Sequence, residues 1–190
     1  MRAFIAIELP EKIKDALARA QEELKKTGAD VKWVQPQNIH LTLKFLGERD
    51  DKKIAQAQAA LQEAADNNKT FKASISETGA FPDLNHPRVI WAGVGKGDQE
   101  IKQIAAQLEE KIARIGIPKE ERPFSSHITI GRVKSGLNKE KLAEGLKRAG
   151  EILTKEKLEF EVRQVTLYKS TLTPKGHVYE AVKEASLNAT

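Results

Sequence analysis

His40-Leu41-Thr42-Leu43 and His127-Ile128-Thr129-Ile130 carry one pattern, His-apolar-Thr-apolar, at two places 87 residues apart. Both lie in runs that read as β-strands: Ile39 to Leu46, where Ile39, Leu41, Leu43 and Phe45 alternate with His40, Thr42 and Lys44, and Phe124 to Val133. Side chains alternate across a strand, so His and Thr at i and i+2 share one face while the aliphatic pair points to the other. Each tetrad can thus anchor in a core and show an imidazole and a hydroxyl to a cleft.

The surroundings of the tetrads match. Gly28 and Gly116 stand 12 and 11 residues before the histidines, and Pro36 and Pro123 stand four before. Asp50 and Asn138 follow at 10 and 11 residues, and Asp50 or Asp51 in the first half and Asn138 in the second can cap a helix. Each half reads strand, helix, tetrad strand, helix, strand. The first half offers a strand over 3–9, a helix opened by Pro10 and carrying Ile13, Leu17, Ala20 and Leu24, and a short strand over 31–34. A helix with Ile54, Ala57, Leu61 and Ala64 and a strand with Phe71, Ala73 and Ile75 complete it. The second offers a strand over 88–94, a helix capped by Asp98, and a helix with Leu142, Leu146 and Ala149 closed by Gly150. Leu158, Phe160 and Val162 alternate, and the phase change at Val165 and Leu167 suggests a bulge near Arg163 or Gln164. The expectation is one bilobal domain over 1–190, with repeat units of about 1–78 and 87–163 and strands from 164–184 completing the sheets.

The chain has 190 residues, 39% hydrophobic and only 5% aromatic, which predicts a mainly aliphatic core. Its net charge of +5 favours an anionic partner without requiring one. The lack of cysteine excludes disulfides, thiolate nucleophiles and cysteine-ligated metal sites. The apolar run at the start is too brief for a signal-peptide core and no later run spans a membrane, so a soluble, cytoplasmic protein is expected.

Imidazoles titrate near neutrality, so a neutral and a protonated histidine can coexist and act as base and acid. Threonine hydroxyls can donate to phosphate oxygens as charge builds there. A metal site is not expected: the tetrads hold no carboxylate, and threonine is a poor ligand for metals that imidazole prefers. The glycines of Gly93 to Gly97 fit neither the Walker A nor the dinucleotide-binding spacing. His86 and His177 fall in turn-like contexts.

The strings Asn38-Ile39-His40-Leu41-Thr42-Leu43-Lys44-Phe45-Leu46-Gly47 and His127-Ile128-Thr129-Ile130-Gly131-Arg132 resemble the 2H phosphoesterase superfamily. The nearest branch is the prokaryotic RNA 2′,3′-cyclic phosphodiesterases, also called 2′-5′ RNA ligases. The opening Arg2 to Ile7, Leu167 to Ser170, and Tyr179-Glu180 are similar to it as well. The resemblance implies an α+β, bilobal, duplicated fold: two antiparallel sheets with outer helices, related by a pseudo-twofold, with the active site in the central cleft. It implies hydrolysis of RNA 2′,3′-cyclic phosphate ends to 2′-phosphomonoesters without a cofactor. His40 would be the proton donor, His127 the proton acceptor, and Thr42 and Thr129 the holders of phosphate oxygens. A 5′-hydroxyl in place of water would instead join ends through a 2′-5′ linkage. Transfer-RNA fragments and nucleotides are candidate substrates, and a monomer is expected.

Arg132 follows the second tetrad where the family carries an arginine. Strict alternation turns it away from His127 unless Gly131 forms a bulge. Lys44 shares the face of His40 and Thr42 by alternation and could reach an RNA backbone. Phe45 falls on the aliphatic face, which favours core packing; Tyr168 and Ser170 are weaker candidates. The alternative to catalysis is an RNA-end-binding module that performs no chemistry.

Overall fold

The computed structural model describes residues 1–190. Nine strands and four α-helices follow one another in the expected alternation. They are β1 (Arg2–Glu8), α1 (Glu11–Lys25), β2 (Val31–Trp33), β3 (His40–Glu48), α2 (Asp51–Asp66), β4 (Phe71–Phe81), β5 (Val89–Val94), α3 (Asp98–Arg114), β6 (His127–Val133), α4 (Lys139–Lys155), β7 (Glu159–Val162), β8 (Gln164–Thr173) and β9 (Gly176–Ser186). The architecture is α+β with two antiparallel sheets, ordered β3-β1-β8-β9 and β2-β6-β5-β4-β7.

The duplication shows in the strand order. In the first sheet the tetrad strand β3 lies beside β1, then β8; in the second, the tetrad strand β6 lies beside β5, then β4. The third strand of each series comes from the other half of the chain. After α2 the chain leaves the first sheet and enters the second as β4. After β7 it returns to the first as β8. Helices α2 and α3 cover the first sheet, and α4 packs on β4 with α1 beside it. One continuous apolar core joins Ile5, Ile7 and Leu41 of the first sheet to Ile90, Ile128 and Ile130 of the second. No helix is long and apolar enough to cross a membrane.

Several local expectations need correction. Pro10 precedes α1 as its N-cap and is not its first helical residue. Asp50 does cap α2, accepting a hydrogen bond from the Lys53 amide at 2.8 Å. Asp98, by contrast, is already helical. Gly97 holds the cap position at φ +87°, a left-handed conformation suited to glycine. Asn138 occupies the cap of α4 without a side-chain hydrogen bond. The phase change at Arg163 is a change of sheet: β7 pairs with β4, whereas β8 pairs with β1 and β9. Each strand must present its apolar face to a different part of the core, which resets the alternation.

Gly150 does not close α4, which runs on to Lys155. A side chain there would meet β4, since an added Cβ would lie 2.9 Å from the Thr78 amide nitrogen. The Thr78 hydroxyl donates to the Leu146 carbonyl at this contact. Glycine therefore stays inside a helix because a strand passes too close. At an exposed helical position Gly→Ala stabilises by about 1 kcal/mol. At Gly150 it should destabilise by about 1–3 kcal/mol, the usual cost of overpacking. Urea unfolding of Gly150→Ala should show a lowered midpoint; an unchanged or raised midpoint would refute the contact.

Candidate active site

The tetrad strands β3 and β6 belong to different sheets and approach each other between them. Within each, the core is filled by the aliphatic residues: Leu41 and Leu43 in one, Ile128 and Ile130 in the other, all at most 4% exposed. His40, Thr42, His127 and Thr129 are only partly buried on the opposite face.

The two imidazoles are held alike. His40 Nδ1 lies 2.7 Å from the Asn38 carbonyl, and His127 Nδ1 lies 2.9 Å from the Ser125 carbonyl. A carbonyl only accepts, so each Nδ1 carries the proton, and Nε2 is the basic nitrogen of the neutral ring. His40 Nε2 stands 2.8 Å from Thr42 Oγ1, which donates to it when the ring is neutral. Burial pushes the His40 pKa below its ordinary value. The Asn38 carbonyl partly opposes this, and the Lys14 charge adds to the lowering.

An aromatic wall surrounds His40. Phe4 stacks on its ring at 4.8 Å and Tyr179 meets it edge-on at 5.4 Å. Tyr168 stacks on Phe4 at 5.4 Å. Its hydroxyl pKa is pushed up to about 12, first by burial and then by the Glu8 carboxylate. His127 has a smaller aromatic setting: Phe81 meets it edge-on at 5.1 Å, and Trp91 lies 5.3 Å beyond Phe81. An added Cβ at Gly79 would fall 2.4 Å from the Trp91 ring, so that glycine gives the indole its place.

The alternation breaks in both tetrad strands at the same residue. In β3, Thr42 pairs with Ala6 and Lys44 with Ile5, which leaves Leu43 bulged. In β6, Thr129 pairs with Trp91 and Gly131 with Ile90, which leaves Ile130 bulged. The residues that follow exchange faces. Arg132 therefore returns to the His127 face and is exposed, although the break falls one residue before Gly131. Its charge reaches Tyr179 of the first sheet, where it partly offsets the upward push that burial gives that hydroxyl.

The same slip overturns the expectation for Lys44. This side chain turns inward, 1% exposed, and its Nζ donates to Glu109 Oε1 at 3.0 Å and to the Pro118 carbonyl at 2.9 Å. It does not face the cleft. Phe45 takes that place, 57% exposed and 6.3 Å from the Phe4 ring, so core packing is overturned there too. Phe45 and Arg132 occupy equivalent positions, one aromatic and one cationic.

Sequence reading missed the supporting ring. Tyr179 touches His40 directly. His177 lies beside Tyr179 at 6.1 Å, with its Nδ1 3.3 Å from Ser170 Oγ, and its carbonyl accepts from Asn38 Nδ2. The alternation of His177 and Tyr179 was the available signal, but only the pairing of β8 with β9 brings them to His40. His86 is exposed beside Asp83. No three His, Cys, Asp or Glu side chains are grouped so as to hold a metal ion.

The LigT like phosphoesterase family model matches the chain twice, over residues 7–91 and 94–179. A relative from Methanocaldococcus jannaschii, named RNA 2′,3′-cyclic phosphodiesterase, is 38% identical over 97% of this chain and 99% of its own length. One of the same name from Aquifex aeolicus is 36% identical over 97% and 96%. Among solved structures, a Thermus thermophilus protein superposes with a TM-score of 0.80 at 29% identity, covering 100% of this chain and 99% of that one. Escherichia coli LigT complexed with 3′-AMP superposes with a TM-score of 0.76 at 26% identity, covering 98% and 97%. With a tetrad in each of the two matched stretches, the chain belongs to the LigT-like phosphoesterase family.

Proposed function

We propose that the protein hydrolyses RNA 2′,3′-cyclic phosphate ends to 2′-phosphomonoesters, with His127 as base and His40 as acid. The observation that carries this reading is the shared tethering of the two imidazoles. Each is fixed through Nδ1 on a backbone carbonyl, which makes Nε2 the reacting nitrogen of both. Relatives of nearly equal length named RNA 2′,3′-cyclic phosphodiesterase support the substrate class.

In this reading His127 Nε2 removes a proton from water as its oxygen bonds to phosphorus. The bond from phosphorus to O3′ breaks, and protonated His40 gives its Nε2 proton to that oxygen. A 3′-hydroxyl and a 2′-phosphate remain. Thr42 and Thr129 donate to the non-bridging oxygens, and Arg132 opposes their charge. Both half-sites come from one chain, so a monomer suffices. Transfer-RNA fragments and small cyclic nucleotides carry the same reacting group.

His40→Ala and His127→Ala should each lower turnover of a 2′,3′-cyclic-phosphate oligonucleotide by about 10²–10⁴-fold. Their thermal unfolding should stay near the parent's. A pair of folded variants with parental turnover would rule out the acid–base scheme, and a silent parent that still binds the oligonucleotide would favour an RNA-end-binding module.

The lowered pKa of His40 has a definite sign. The folded protein binds fewer protons at this site than the unfolded chain, whose ring titrates near 6.5. Stability is therefore full above that pH and falls as the pH drops through and below it. A bound phosphate anion favours the imidazolium and supplies the proton-donating form. Nuclear magnetic resonance titration should place His40 below 6.5 in the free protein and move it upward with inorganic phosphate. A free-protein midpoint at or above 6.5 would contradict the burial argument.

A further inference from the structure

Gln21 and Glu109 occupy the same place in the duplicated fold. Each lies two helical turns before a glycine of positive φ, Gly28 or Gly116, that follows its helix. Both reach from the helix to two partners of the same kind. One partner lies at a bulged tetrad strand, and the other lies in the irregular segment that leads into the opposite tetrad.

Gln21 is 3% exposed. Its Nε2 donates to the carbonyl of Ile130, the bulged residue of β6, at 2.9 Å and to the Val34 carbonyl at 2.8 Å. Val34 lies in the segment that leads to Asn38 and His40. Glu109 Oε1 accepts from Lys44 Nζ, just after the bulge of β3, at 3.0 Å and from the Glu120 amide at 2.7 Å. Glu120 lies in the segment that leads to Ser125 and His127. Lys44 also grips this segment directly through the Pro118 carbonyl at 2.9 Å.

The donor and acceptor types are exchanged between the copies while the connections are kept. On one side an amide donates to two carbonyls. On the other a carboxylate accepts from an ammonium and an amide. The segments so held also end on the carbonyls, Asn38 and Ser125, that fix the Nδ1 protons of the two catalytic candidates.

We infer that Gln21 and the Lys44–Glu109 pair are positioning residues that set each histidine against the bulged strand of the opposite half-site. This rests on the reading of His40 and His127 as the acid–base pair. Neither clamp touches the reacting atoms. Each acts through a backbone carbonyl that fixes an imidazole, so its loss should lower kcat more than it raises KM. A displacement near 1 Å at the chemistry can cost about 10²-fold in rate.

The test uses Lys44→Met, which keeps the aliphatic stem, with Glu109→Ala and the shape-preserving Glu109→Gln. Thermal melts would establish folding, and Glu109→Ala covers the case in which Lys44→Met does not fold. Turnover and KM would be measured on a 2′,3′-cyclic-phosphate oligonucleotide. Imidazole nitrogen spectra would report which ring nitrogen holds the proton. The expected result for Lys44→Met and Glu109→Ala is a kcat about 10–100-fold lower with KM within about threefold. His127 should lose its fixed Nδ1–H tautomer while His40 keeps its own, although Lys44 belongs to the His40 strand. Glu109→Gln retains an acceptor for both donors and should stay within about threefold of the parent kcat.

Folded variants with parental kcat and an unchanged His127 tautomer would overturn the inference, as would a rise in KM alone. His40→Ala and His127→Ala separate the two levels. If they are inactive while the clamp variants behave as the parent, only the positioning role falls. If they remain active, the acid–base reading falls and the positioning role with it.

Discussion

A one-residue slip just past the threonine of each tetrad strand governs the site. Pleated alternation alone would carry Lys44 to the cleft and turn Phe45 and Arg132 away. The bulges at Leu43 and Ile130 reverse this just beyond the His and Thr of each tetrad. Up to threonine, each strand presents His and Thr to the cleft and packs its aliphatic residues inside. Past the bulge the next side chain goes inward and the one after it goes out. A single strand can thus serve both a core and a cleft, with the one inward charge, Lys44, held by Glu109 and the Pro118 carbonyl.

The slip also marks where the duplicated halves diverge. At the first inward position β3 carries Lys44 and β6 carries Gly131. Lys44 is accommodated because Glu109 and the Pro118 carbonyl satisfy its ammonium, as a buried charge requires. Gly131 is needed because β2 adds to that sheet: an added Cβ would lie 2.8 Å from Val31. At the outward position Phe45 extends the aromatic wall beside Phe4, while Arg132 brings a positive charge to the other side. Two similar half-sites thus differ in what flanks them: Phe4 and Phe45 stand on the His40 side, and the Arg132 guanidinium stands on the His127 side.

The crossing of strands between halves makes the two half-sites one unit. β4 and β8 each complete a sheet begun by the other half, and the apolar core is continuous. Removing a fully buried side chain such as Leu41, at the base of the His40 strand, would cost about 2–5 kcal/mol.

The tetrads, the face each shows, the helices between them and the repetition are all legible in the chain. These depend on local periodicity and on turn residues at fixed spacing, so His40, Thr42, His127 and Thr129 were legible. The places of Lys44, Phe45, Gly150, Tyr179 and His177 emerge only once the strands and helices are packed together. Lys44 and Phe45 depend on a bulge whose place is set by pairing with β1. Gly150 looks like a helix end until β4 is seen to pass against it. Tyr179 and His177 reach His40 only because β8 and β9, more than 100 residues away in the chain, close the first sheet. Periodicity reports which way a side chain points within its own strand, whereas bulges and neighbours are properties of the strand beside it.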